Sequence, residues 1–170
     1  MIGLVIAIGL YAFKEVPIEA YPNPVPPLVE TIVQPPGWSA EEVERYERSG
    51  GTEPSELVGD QWIILWTLGV KSGKVRKTPL VRVADGEGRY AVIGSMGGAP
   101  QHPQWVHNVR ANPVARLQDG PEVRDFAVRE VEGDEKAAWW SRAVAAWPDY
   151  DAYQAATERA IPLFVLEPTT

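Results

Sequence analysis

The chain contains no cysteine. That excludes a disulfide scaffold, a thiolate nucleophile and a cysteine-ligated metal centre. Histidine is scarce too, with only His102 and His107. These are five positions apart, not four, so they do not align on one helical face, and a protein-bound catalytic metal is not expected. Cations are in deficit: 16 Lys and Arg stand against 23 Asp and Glu, a net charge of -7. An acidic balance opposes nucleic-acid binding, because each phosphate contact needs a cation. Neither a G-x-S-x-G elbow nor an H-E-x-x-H pair occurs, so hydrolase chemistry has no foothold.

The apolar N-terminal run, Met1 to Phe13, would span only about 20 Å as a helix, against about 30 Å of bilayer hydrocarbon. It has no positive segment before it and no A-x-A-like cleavage site after it. Neither a transmembrane span nor a signal peptide is expected. A weak membrane-surface contact through residues 1–13 stays open, as does a loosely ordered chain end.

What is present is one core's worth of residues, 170 in all, of which 45% are hydrophobic. There are 7 Trp and 6 Tyr but only 3 Phe. Aromatics with a polar handle suit a pocket for a flat ligand, and they suit an ordinary core equally well. Seven prolines between Pro17 and Pro36 make that stretch an extended linker. Residues 1–37 therefore read as an arm, and residues 38–170 as the domain.

Within the domain, Ser39 and Glu42 form a capping box that opens a helix ending at Gly50-Gly51. Trp62 to Thr67 is apolar on both parities, a strand buried on both faces. Arg76 to Ala84 and Arg89 to Ser95 read as a hairpin around the turn at residues 85–88. A helix over Pro103 to Ala111 follows, with Pro103 suited to the first helical position. Two strands come next, Val114 to Gln118 and Val123 to Val131. Asp134 can cap a helix to Trp147, with Trp140, Val144 and Trp147 on its buried face. A short helix carries Tyr150 and Tyr153, and Leu163 to Leu166 is the last strand. With hairpin signals and no βαβ alternation, the expected fold is mainly β (α+β): a mostly antiparallel barrel with helices packed outside.

Three segments can carry chemistry. In Lys71 to Lys77, four of seven residues are basic, in an otherwise acidic chain. Gly69 and Gly73 have three residues between them, not four, and Val75 stands where a phosphate loop needs Ser or Thr, so this is no such loop. A glycine-containing cationic turn still suits phosphate or carboxylate, although a solvated hairpin turn would look the same. In Ser95-Met96-Gly97-Gly98, paired glycines let backbone approach a ligand, and Ser95 offers a hydroxyl; a plain loop is the alternative. Trp147, Tyr150 and Tyr153 are spaced by three, and a phenol beside a redox ring can orient a carbonyl or deliver a proton; helix packing is the alternative.

Three runs together resemble the deazaflavin-dependent nitroreductase family, also described as quinone reductases that use reduced coenzyme F420. They are GVKSGKVRKTPL (Gly69 to Leu80), GSMGGAPQHPQWVHNVRANP (Gly94 to Pro113) and AAWPDYDAYQAATERAIPLFVLEP (Ala145 to Pro168). The resemblance covers Trp38 to Pro168. It implies a split β-barrel. It implies that Lys71 and Arg76, with Lys74 nearby, hold the phosphate and poly-glutamate tail of the cofactor. It sets Thr78 and Pro79 along the cofactor, and Ser95, Met96, Gly97 and Gly98 beside the deazaflavin ring. It puts Trp147, Tyr150 and Tyr153 at the substrate side, with Tyr150, Tyr153 and Ser95 as the catalytic candidates. Relatives often carry a basic residue where Val70 and Met96 stand, and Tyr or Phe where Trp147 stands.

The expected function is hydride transfer from reduced coenzyme F420 to a conjugated small molecule: a quinone, an enone or a nitro-aromatic. The alternatives are an FMN-binding split-barrel oxidoreductase and a deazaflavin carrier without an acceptor site. A cytoplasmic monomer that does not bind nucleic acid, with membrane association confined to residues 1–13, completes the reading.

Overall fold

The structure is a computed structural model that describes residues 30–31, 39–55 and 58–169. The expectations for residues 1–13 and, apart from two residues, for the proline-rich linker lie outside the described residues. Those two are strand β1, Glu30–Thr31, which pairs in parallel with Arg76 and Lys77. The other strands are β2 (Trp62–Leu68), β3 (Val75–Val81), β4 (Val83–Ala84), β5 (Tyr90–Ile93), β6 (Val114–Asp119), β7 (Glu122–Glu130) and β8 (Leu163–Pro168). The helices are α1 (Ala40–Arg48), α2 (Gln104–Ala111), α3 (Gly133–Ala146) and α4 (Asp149–Ala155), with a 3-10 turn at Met96–Gly98.

The strands form one sheet in the order β1-β3-β2-β6-β7-β8-β5-β4, antiparallel except for β1. Apart from β1, its edges are β3 and β4, which only Arg82 separates in the chain. One strand therefore leaves one edge of the sheet and arrives at the other, so the sheet must curl around on itself. The expected antiparallel barrel is borne out. The single strand expected from Arg76 to Ala84 is broken at Arg82, because its first part pairs with β2 and its last part with β5.

Side chains sort by parity along the strands. Ile63, Leu65, Leu80, Leu117, Phe126, Val128, Phe164 and Leu166 form the interior, which the apolar side of α2 enters with Trp105, Val106 and Val109. The other face of β2 packs Trp62 and Ile64 under Val43 and Tyr46 of α1. The outer faces of β5 and β8 pack Ala91, Ile93, Leu163 and Val165 against Trp139 and Ala143 of α3 and Tyr150 of α4. Three helices thus lie outside, as expected, while α2 closes one end. Burying a side chain such as Phe126 or Phe164 contributes roughly 1.5–3 kcal/mol, so the interior cluster dominates stability.

Sequence and structure agree where the chemistry is local. Ser39 caps α1, and both halves of the capping box are present. Three signals differ from the structure. Asp134 does not cap α3: Glu132 occupies that place without a side-chain bond, and Asp134 lies in the first turn, where a carboxylate favours the helix dipole. The buried line of α3 is Trp139 and Ala143, one position earlier than expected. Trp140 instead turns toward α4, where its indole N–H donates to Asp151 Oδ1 at 2.8 Å. Pro103 stands at the cap of α2 rather than inside it.

Candidate functional site

Alternating strand directions place the β2–β3 turn, the exit of β5 and the entry to β8 at one end of the barrel. The three segments singled out in the sequence are therefore gathered there, although Gly69 and Tyr153 stand far apart along the chain.

The cationic turn is tied down from inside. Asn108 of α2 is 1% exposed. Its Nδ2 donates to Thr67 Oγ1 at 3.0 Å, and its Oδ1 accepts from the Val70 amide at 3.2 Å. Gly69 and Lys74 close the turn through a backbone bond of 2.8 Å. Beyond it, Arg76 and Thr78 pair with Thr67 and Leu65, on the interior parity. Arg76 Nη2 donates to Ser72 Oγ at 3.2 Å, which steers the guanidinium back over the turn. Lys77 lies on the opposite face, where it donates to Glu47 Oε2 at 2.7 Å. Pro79 shares the parity of Lys77 and pairs with Ile64, on the α1 side. Lys71 is exposed at the tip of the turn, and Lys74 is half-buried beside it.

The second segment is an unusual piece of backbone. Ser95 is right-handed (φ -70), followed by Met96 at φ 49, Gly97 at φ 63 and Gly98 at φ 81. Met96 is the one described non-glycine residue with positive φ. Such strain persists only where surroundings impose it. A right-handed residue followed by a left-handed one turns successive amides to one side, a concavity suited to negative charge. Gly98 has no room for a side chain: a Cβ there would lie 2.8 Å from the Tyr153 carbonyl oxygen.

The aromatic segment packs on that turn. Tyr150 and Tyr153 meet nearly perpendicular, with ring centroids 6.2 Å apart. Trp147 Nε1 donates to the Tyr153 hydroxyl at 3.4 Å. Burial pushes the Tyr150 phenol pKa well up, and Tyr153 adds to the shift, so it is a proton-bearing donor at neutral pH.

The hydroxyl groups of Thr78, Ser95 and Tyr150 sit on residues 3%, 9% and 5% exposed. Each of the three hydroxyls can donate or accept a hydrogen bond with a polar ligand. No group of His, Asp and Glu among the described residues could hold a metal.

Some site-supporting residues escaped the sequence reading: Asn108, Gln154, Arg159 and His102. Arg159 donates to the carbonyls of Ser95 at 2.7 Å and Ala99 at 2.8 Å, and faces His102 Nδ1 at 3.1 Å. Asn108 had a readable signal, a polar residue inside the buried stripe Trp105, Val106, Val109. Arg159 had none beyond its place in a recurrent motif.

Known proteins resemble this chain in sequence and in fold. The family model for F420H(2)-dependent quinone reductase matches residues 38–168. The F420H(2)-dependent quinone reductase Rv1261c of Mycobacterium tuberculosis is 34% identical over 107 residues, covering 61% of this chain and 71% of its own. A solved F420-H2 dependent reductase, FDR-A, superposes with a TM-score of 0.60 at 47% identity, covering 63% of this chain and 94% of that one. A second solved structure, a domain-swapped dimer, superposes with a TM-score of 0.62 at 42% identity, covering 75% of this chain and 95% of that one. The chain belongs to the F420H(2)-dependent quinone reductase family, oxidoreductases whose cofactor is coenzyme F420.

Proposed function

We propose that this chain binds reduced coenzyme F420 at the gathered end of the barrel and reduces a quinone-type acceptor there. The observation that carries the reading is the convergence of a cationic turn, the left-handed Met96–Gly98 loop and an aromatic helix at one end. Lys71, Lys74 and Arg76 hold the anionic tail, with Thr78 beside it. Pro79 contributes through the course of β3, since its side chain takes the α1 side. Ser95, Met96, Gly97 and Gly98 form the floor for the ring. Trp147, Tyr150 and Tyr153 form the acceptor wall. The residues fit an anionic, flat, polar-edged group, and such a group supplies the hydride when bound.

The chain's own part is binding, orientation and proton supply. Lys71, Lys74 and Arg76 would hold an anionic tail at one end of the site, and the turn at Met96 would hold the ring at the other. The Tyr150 phenol, kept protonated by burial, donates a hydrogen bond to the acceptor oxygen. Tyr153 is oriented by Trp147 and leaves its own proton free to donate.

Residues 38–170 are the working unit, because the family match spans 38–168 and the site is assembled within it. The site residues proposed above all come from one chain, and on that ground we read the active species as a monomer, while one similar solved structure is a domain-swapped dimer. No described helix is long and apolar enough to cross a membrane. We read the protein as cytoplasmic and assign any weak membrane contact to residues 1–13.

The test is a titration of purified protein with coenzyme F420 and with FMN, followed by intrinsic tryptophan fluorescence, and then turnover of the reduced cofactor with a soluble quinone. Preference for F420 and quinone-dependent oxidation are expected. Tighter FMN binding refutes the cofactor assignment, and F420 binding without turnover on any acceptor marks a carrier.

A further inference from the structure

The last recurrent run contains two residues that the reaction as described does not use, Gln154 and Arg159. The structure gives both a place. Most of the described arginines that form hydrogen bonds through their side chains face a carboxylate: Arg82 faces Asp119, Arg89 faces Asp85, Arg110 faces Glu130, Arg116 faces Asp125 and Arg129 faces Glu135. Arg159 is different. Its three bonds go to the Ser95 carbonyl, the Ala99 carbonyl and His102 Nδ1, all on the loop that contains the strained turn. Burial lowers its pKa somewhat, yet an arginine stays charged.

We infer that Arg159 is the positioning residue that holds the Ser95–Ala99 loop in its ligand-binding shape. The inference rests on the F420 assignment above. Its guanidinium binds carbonyls at both ends of the left-handed run 96–98. Between those carbonyls the Gly98 amide donates to Ser95 O at 3.0 Å and the Ala99 amide to Met96 O at 3.2 Å, so the turn closes on the carbonyl that Arg159 holds. Met96 and Gly97 make no backbone amide bond among the described residues, consistent with amides kept for a ligand. No carboxylate among the described residues neutralises Arg159, so its positive charge adds to the amide field and favours negative charge on a bound ring.

Gln154 holds Arg159 in turn. Its Nε2 donates to the Arg159 carbonyl at 2.9 Å, and its Oε1 accepts from the Ile161 amide at 2.9 Å. Gln154 follows Tyr153 directly on α4. One side chain therefore ties the acceptor wall to the arginine that shapes the ring floor. The chain from α4 to β8 is the link between the two halves of the site.

The experiment uses the full chain and four proteins: wild type, Arg159→Ala, Arg159→Lys and Gln154→Ala. F420 affinity is read by tryptophan fluorescence, thermal unfolding by circular dichroism, and the cofactor KM and quinone KM separately. Arg159→Ala should weaken F420 binding about tenfold or more, the effect of losing a charged hydrogen bond. The cofactor KM should rise in step, while the quinone KM changes less. Arg159→Lys keeps the charge without the fork, so it should recover part of the loss. Gln154→Ala should shift both KM values, because it joins both halves. If Arg159→Ala does not fold, the partial loss in Arg159→Lys carries the test. Wild-type affinity in folded Arg159→Ala, or in Arg159→Lys where only that variant folds, overturns the inference while leaving the F420 assignment intact. Failure of the wild type itself to bind F420 overturns the assignment instead.

Discussion

Arg76 and Lys77 leave β3 on opposite faces of the sheet. Arg76 pairs with Thr67 on the interior parity, whereas Lys77 pairs with Trp66 and donates to Glu47 at 2.7 Å beneath α1. Lys77 also lies 5.0 Å from the Trp66 ring centroid. Two adjacent cations therefore do different jobs. Arg76→Ala should weaken F420 binding by about ten- to a hundredfold, the equivalent of about 1.5–3 kcal/mol. Lys77→Ala should leave binding nearly unchanged and cost about 1 kcal/mol of stability. F420 titration and urea denaturation of both variants check this; a larger binding loss in Lys77→Ala would mean the pocket faces α1.

Asn108 braces the same turn from within the barrel. Asn108→Ala strands the Thr67 hydroxyl and the Val70 amide, and should destabilise the fold by about 1–3 kcal/mol. Cofactor affinity should fall with it, because the turn loses its anchor. Denaturant midpoints and F420 titration report the two effects separately.

The two glycines of the ring floor should respond differently. Gly97 has positive φ, and nothing lies within 4 Å of the place a Cβ would take, so Gly97→Ala costs only backbone strain of about 1 kcal/mol. In Gly98→Ala the new Cβ meets the Tyr153 carbonyl at 2.8 Å, so α4 must move. Thermal unfolding should fall further in Gly98→Ala, and kcat with the quinone should drop only there. Equal effects would show that the loop and α4 move independently.

Tyr150→Phe removes the hydroxyl of a residue only 5% exposed and keeps its ring in the packing. Stability should hold or rise slightly, while turnover falls by about a hundredfold, the usual scale for a lost proton donor. Burial holds this phenol's pKa far above neutral, so its ionisation should not limit the rate between pH 6 and about 9. A rate–pH profile of wild type and variant tests both statements.

His102 makes stability depend on pH. Burial lowers its pKa below the ordinary 6.5, and the charges of Arg159 and Arg110 lower it further; His107 faces it as well, while Glu130 pulls the other way. The neutral ring is the form that accepts a hydrogen bond from Arg159. Stability is therefore complete above about pH 6.5 and is lost as pH falls through the folded-state pKa. Urea midpoints at pH 7.5 and 5.5 should differ in the wild type and converge in His102→Gln.

Much of this protein was legible in its residues. The capping box of α1, the doubly buried β2, the hairpin turns and the recurrent runs are local patterns, and local patterns survive folding because short-range sterics and hydrogen bonds set them. Tertiary structure decided the rest. The break at Arg82 follows from barrel closure, which no window around Arg82 contains. The buried line of α3 depends on the sheet it lies across, so the sequence pattern missed it by one residue. Asn108 and Arg159 act on segments 38 and 64 residues away, respectively. Such bonds exist only once the barrel brings its chain ends together, because a side chain's partner is fixed by distance in space and not by distance along the chain.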